Sequence, residues 1–99
     1  MTDTTKPMGR VEAEKLLRGV PGWSISAGGQ SLVRQFTFKN FVEAMDFANK
    51  ITPIAESAGH HPDLSIGWGR VDVELSTHSV QGLSENDFVL AAKIGELTS

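Results

Sequence analysis

The sequence predicts an α+β domain in the order α-β-β-α-β-β-α, a four-stranded antiparallel sheet with three helices packed on one face. Three observations predict it. Apolar residues recur at helical spacing in three separated stretches, alternate with period two between those stretches, and the alternating segments come in adjacent pairs that suit hairpins. At 99 residues, with 39% hydrophobic and 21% charged, the chain has the proportions of one small globular domain.

The first nine residues are polar and read as a disordered tail, with the single domain over 10–99. Residues 10–18, RVEAEKLLR, contain good helix formers, with Val11, Leu16 and Leu17 as the apolar positions and Gly19 as the stop. VPGWSI and SLVRQFTFK read as strands joined at AGGQ. In them Trp23 alternates with Ile25, and Leu32, Phe36 and Phe38 share a face that Arg34 interrupts.

At Asn40 the period changes. Asn40 is a helix N-cap with Glu43 three residues on, and Phe41, Ala44, Met45, Ala48, Ile51, Ala55 and Ala58 form an apolar stripe. Pro53 removes one donor from this helix and predicts a kink. Phe47 and Ile54 lie at the margin of the stripe, where they either widen the core face or cover a subunit interface. After Pro62, Leu64, Ile66 and Trp68 alternate, then Val71, Val73 and Leu75, giving two strands joined at Gly69-Arg70, with Trp68 expected to pack in the sheet. The last helix opens on Ser84, with Asp87 at its third position, and presents Phe88, Leu90, Ala91, Ile94 and Leu97.

Composition excludes several chemistries. The absence of cysteine removes disulfides, thiolate zinc sites and a cysteine nucleophile. Nine basic against twelve acidic residues give a net charge of −3 with no Lys/Arg run, so direct nucleic-acid binding is not expected. No window approaches a membrane span and the first residues lack a signal-peptide core, so a cytoplasmic location is expected.

The stretch GHHPD carries the chemistry. His60 and His61 fall at the end of the second helix, and the third histidine, His78, follows the fourth strand. Glu56 lies one turn before His60, within reach of its ring. His61 precedes a proline and is therefore extended, its ring turned away from that of His60. On residues alone, three readings stand: a polar turn, a tris-histidine zinc site, or metal-free acid/base chemistry. Diverging adjacent rings and the lack of HxH or HxxxH spacing weigh against a metal.

The ordered set Glu56, His60-His61-Pro62, Trp68, His78 and Asp87 resembles the pterin-4a-carbinolamine dehydratases. Trp23, FTFKNFVEAMDFANKI, LSTH and GLSENDFVLAAKI extend the resemblance over residues 10–97 or so. It implies dehydration of 4a-hydroxytetrahydropterin, such as 4a-hydroxytetrahydrobiopterin, to quinonoid dihydropterin and water, which recycles the cofactor of aromatic amino acid hydroxylases. By resemblance His60, His61 and His78 are catalytic, while Glu56, Pro62, Trp23 and Asp87 bind or orient the substrate. No metal and no cofactor are implied. A homodimer or homotetramer is. Animal members also bind a homeodomain transcription factor through their helical surface, so a non-catalytic coactivator or regulator is the alternative. Ser79-Val80-Gln81 after His78 departs from the family's pattern, in which an acidic residue and smaller ones are common.

Overall fold

The computed structural model describes residues 7–98. Residues 1–6 of the expected tail lie outside that range. Its elements are α1 (Arg10–Leu17), β1 (Ser24–Ile25), β2 (Leu32–Thr37), α2 (Phe41–Ala58), β3 (Asp63–Gly67), β4 (Arg70–Leu75), a 3-10 turn (His78–Val80) and α3 (Glu85–Glu96). This is the predicted order. The strands pair antiparallel in the order β1-β2-β4-β3.

Period-two alternation sorts the sheet into two faces. Leu32 pairs with Leu75, Arg34 with Val73 and Phe36 with Val71, and this row set faces a core completed by Ala44, Phe47 and Ile51 of α2 and by Phe88, Leu90, Ala91 and Ile94 of α3. The opposite face carries Val33, Gln35, Asp72, Glu74, Asp63 and Ser65, and among the described residues no helix covers it. Arg34 is the polar intruder on the core face. Its guanidinium lies 4.3 Å over the Phe36 ring, a cation–π contact, and its Nη1–H donates to the Pro21 carbonyl at 3.3 Å. Gly22, at φ 91, makes room for it, since a Cβ there would stand 2.8 Å from the Arg34 Cζ.

α2 begins as its cap predicts: the Asn40 side chain accepts from Glu43 N–H at 2.9 Å. The Glu43 carboxylate answers at Lys39 N–H, 3.1 Å away, one residue before the cap. The helix continues through Pro53, which faces solvent, to Ala58. It ends at Gly59 in the left-handed region, φ 64, where Gly59 N–H bonds the Glu56 carbonyl and His60 N–H the Ala55 carbonyl. That is a Schellman ending, and glycine allows it.

Two expectations about packing are corrected and one open choice is answered. In α1 the buried residue is Ala13, while Val11 is 71% exposed; the helix touches the core along a narrow line, so its small residue faces in. Phe47 is a core residue, 4% exposed, with its ring 4.6 Å from Phe36 and 5.0 Å from Phe38. Trp68 does not pack in the sheet: β3 ends at Gly67, and Trp68 stands in the turn at the hairpin tip, 74% exposed.

Candidate active site

Antiparallel pairing decides what meets at the site. The start of β3 lies beside the end of β4, Asp63 opposite Glu74, and the end of β4 lies beside the start of β2, Leu75 opposite Leu32. The turn before β3, the loop after β4 and the β1–β2 loop therefore share one end of the sheet. His60 and His61 belong to the first, Thr77 and His78 to the second.

Gly59 turns the chain so that the two adjacent histidines part. His60 points inward, its side chain 13% exposed, and its Nε2 lies 2.5 Å from Oδ1 of Asp87, which is wholly buried. His61 points outward and its Nε2 lies 2.6 Å from Oε2 of Glu56, both side chains more than 60% exposed. Glu56 was expected to reach His60; it pairs with His61 instead, because the left-handed residue ends the helical spacing that would have put positions 56 and 60 on one line. The exposed pair contributes little to stability. The buried one orients a ring.

The Asp87 carboxylate holds three groups together. Its Oδ2 accepts from Ser84 N–H at 3.0 Å, the capping contact the sequence predicts, and from Thr77 Oγ1–H at 2.9 Å. Thr77 Oγ1 also lies 2.6 Å from Ser84 Oγ. A hydroxyl has one proton, and that of Thr77 is spent on Asp87, so Ser84 is the donor in this pair. At Oδ1 the carboxylate can only accept, which places the His60 proton on Nε2 and leaves Nδ1 as the ring's open position; the tautomer is assigned from this network. Thr77 was not foreseen as a site residue. Nothing in a one-dimensional pattern links it to a residue ten positions on, although its place next to His78 is a hint.

His78 opens the 3-10 turn and is exposed, with no hydrogen bond to its ring among the described residues. Pro62 separates His61 from β3 and is half-buried. Trp23 stands elsewhere. It is 5% exposed, edge-on to Phe36 at 6.0 Å, and its indole N–H lies beside Gly95 near the end of α3, eight residues and about 12 Å of helix beyond Asp87. Among the described residues, no three histidine or carboxylate side chains stand close enough to hold a metal.

Comparison with known proteins bears on this arrangement. Residues 6–97 match the family model described as pterin 4 alpha carbinolamine dehydratase. A Methylococcus capsulatus protein, named provisionally as a pterin-4-alpha-carbinolamine dehydratase, is 50% identical over 93 residues, 94% of this chain and 82% of that one. A Brucella melitensis crystal structure titled transcriptional coactivator/pterin dehydratase superposes with a TM-score of 0.89 at 33% identity, covering 95% of this chain and all of that one. A pterin dehydratase-like protein identified as a RuBisCO assembly factor in the alpha-carboxysome shares the fold, with a TM-score of 0.67 at 20% identity over 79% of this chain and 90% of that one.

Proposed function

Because the chain belongs to the pterin 4 alpha carbinolamine dehydratase family, we propose that it dehydrates 4a-hydroxytetrahydropterins by histidine acid/base catalysis. In this reaction the C4a–O bond breaks, the departing hydroxide takes a proton to become water, and a proton leaves the ring nitrogen N5, giving the quinonoid dihydropterin. Hydroxide is a poor leaving group. A positioned acid and a positioned base are each worth roughly 10²–10⁴ in rate.

The observation that carries the reading is the contact between the His60 ring and buried Asp87. A carboxylate behind one ring nitrogen holds the imidazole in one tautomer and one orientation, so its other nitrogen meets the substrate ready to give or take a proton. His60 and exposed His78 are the proposed proton donors to the leaving hydroxyl, and His61, tethered by Glu56, holds the ring or takes the N5 proton. Asp87 is a positioning residue. Trp23, buried in the core, is assigned no stacking role. No resident cofactor enters the scheme, and the setting is the cytoplasm.

The test is the dehydration rate of freshly generated 4a-hydroxytetrahydropterin with and without the protein. Acceleration should survive chelator and fall at least about 10²-fold in His60→Ala and in His78→Ala. Full turnover by both variants would overturn the assignment.

One observation favours a second reading as well. Phe41 and Val42, on the first turn of α2, are 47% and 66% exposed, and adjacent apolar residues on an exposed helix turn suit assembly into a homodimer or homotetramer, or a regulatory partner in the manner of the coactivator named above. Light scattering on Phe41→Asp tests this. An unchanged oligomer would remove the helix turn from consideration.

A further inference from the structure

Residues 7 and 8 run into the start of α1 and lie against the loop that carries His78. Met8 N–H donates to the Leu83 carbonyl at 2.8 Å, and the Met8 side chain packs against the core. Pro7 presses on the neighbouring residue. A Cβ built on Gly82 would stand 2.6 Å from Pro7 Cβ, and the three nearest atoms it would meet all belong to Pro7. Gly82 is not at positive φ, so its backbone does not call for glycine; the packing of Pro7 does. At its other end the segment is fixed by α1, whose N-cap is Gly9 and whose Ala13 is 2% exposed.

The loop is closed from within as well. Thr77 N–H donates to the Gly82 carbonyl at 2.7 Å and Gly82 N–H to the Thr77 carbonyl at 3.3 Å, so these two residues form an antiparallel bridge around His78 to Gln81. Inside it, Val80 N–H bonds the Thr77 carbonyl at 3.2 Å and Gln81 N–H the His78 carbonyl at 3.1 Å. Gly82 is therefore held between Thr77 and Pro7. Whatever displaces it displaces Thr77, whose hydroxyl donates to Asp87 at 2.9 Å, the carboxylate that holds His60.

From these contacts, and resting on the dehydratase reading above, we infer that Pro7 and Met8 brace the catalytic loop, fixing where Thr77 meets Asp87 and how His78 is aimed. The His78 ring is exposed and has no hydrogen bond among the described residues, so its backbone alone aims it. Proton transfer is sensitive to such aim, and a misplacement of roughly 1 Å can cost about 10²-fold in rate. Met8 supplies a backbone bond to the end of the loop. Pro7 supplies a stiff stop, because its ring fixes φ where another residue would yield. Pro7, Met8 and Gly82 are positioning residues, acting through the loop and not on the substrate.

A methyl exchange across the contact tests this. Gly82→Ala drives a Cβ into Pro7 and should lower kcat at least about tenfold, with KM moving less than about threefold, because aim and not affinity is lost. Pro7→Gly, which removes atoms from an exposed residue and so leaves the domain folded, should lower kcat about threefold. Joining the two makes room for the new methyl, so the double variant should turn over at least about threefold faster than Gly82→Ala alone. Proton NMR of the His60–Asp87 hydrogen bond adds a readout that needs no turnover: its far-downfield signal should broaden or shift in Gly82→Ala and return in the double variant. A double variant no faster than Gly82→Ala, an unchanged signal in Gly82→Ala, or a melting temperature that falls while kcat and the signal hold would each overturn the inference and leave Pro7 as ordinary packing. If the wild type has no dehydratase activity, that reading falls, and the signal alone decides this one.

Discussion

Asp87 does two jobs with one carboxylate, and a single substitution separates them. Asparagine keeps one oxygen, enough to accept from Thr77 and Ser84 N–H, but turns an NH₂ group toward His60. Two donors then face each other, and the ring must take the other tautomer or move away. Asp87→Asn should therefore lower the dehydration rate at least about 10²-fold, as loss of the correct histidine tautomer does elsewhere, at a stability cost of about 1–3 kcal/mol for a weakened buried network. Kinetics beside thermal unfolding would check both; full activity in the variant would assign Asp87 to capping alone. Thr77→Val removes the hydroxyl of the network without changing side-chain shape. Its rate should fall roughly tenfold, taking one hydrogen bond to the positioning carboxylate as about 1.5 kcal/mol, and Thr77→Ser should restore it. At this scale the sequence was half legible. Capping by Asp87 follows from its distance to Ser84, whereas its hold on His60 crosses twenty-seven positions, and the exchange of partners between Glu56 and the two histidines depends on the left-handed φ of Gly59.

Within α2, periodicity located the helix and its cap but left one residue at the edge of the stripe undecided. A wheel ranks Phe47 as marginal, yet the β2 face opposite presents Phe36 and Phe38, and three rings pack together. Large aromatic side chains reach past the centre line of a stripe, which a projection of Cα positions does not convey. Phe47→Ala should consequently destabilise the fold by about 3–5 kcal/mol, measured by chemical denaturation, without any dependence on protein concentration. A concentration-dependent loss would return Phe47 to an interface. Pro53 gives the opposite sign. It is exposed, and the carbonyl four residues before it lacks a helical donor; Pro53→Ala restores that bond and should stabilise the fold by about 1–3 kcal/mol, measured by chemical denaturation.

Across the whole molecule, the same antiparallel order that gathers the β1–β2 loop, the histidine turn and the loop after β4 at one end also sends Trp68 and the start of α2 to the other. Strand order could not be read from hydropathy, because β4 inserts between β2 and β3 although β3 precedes it in the chain; alternation gives faces, not neighbours. That insertion has an electrostatic consequence on the uncovered face. It sets Asp63 directly opposite Glu74, two exposed carboxylates with no ion pair among the described residues, next to Asp72, whose charge is already matched by Arg70. Like charges facing across antiparallel strands are destabilising by roughly 0.2–1 kcal/mol, and exposed charges are screened by salt. Stability should therefore rise modestly as ionic strength increases from low values toward 0.5 M or so, where screening acts over only a few ångströms. Glu74→Lys should capture a gain of the same order at low salt, by turning repulsion into attraction, and should weaken or reverse the salt dependence. Denaturant titrations of the two proteins at low and high salt decide it: parallel responses would mean that the open face carries no net strain from these two residues.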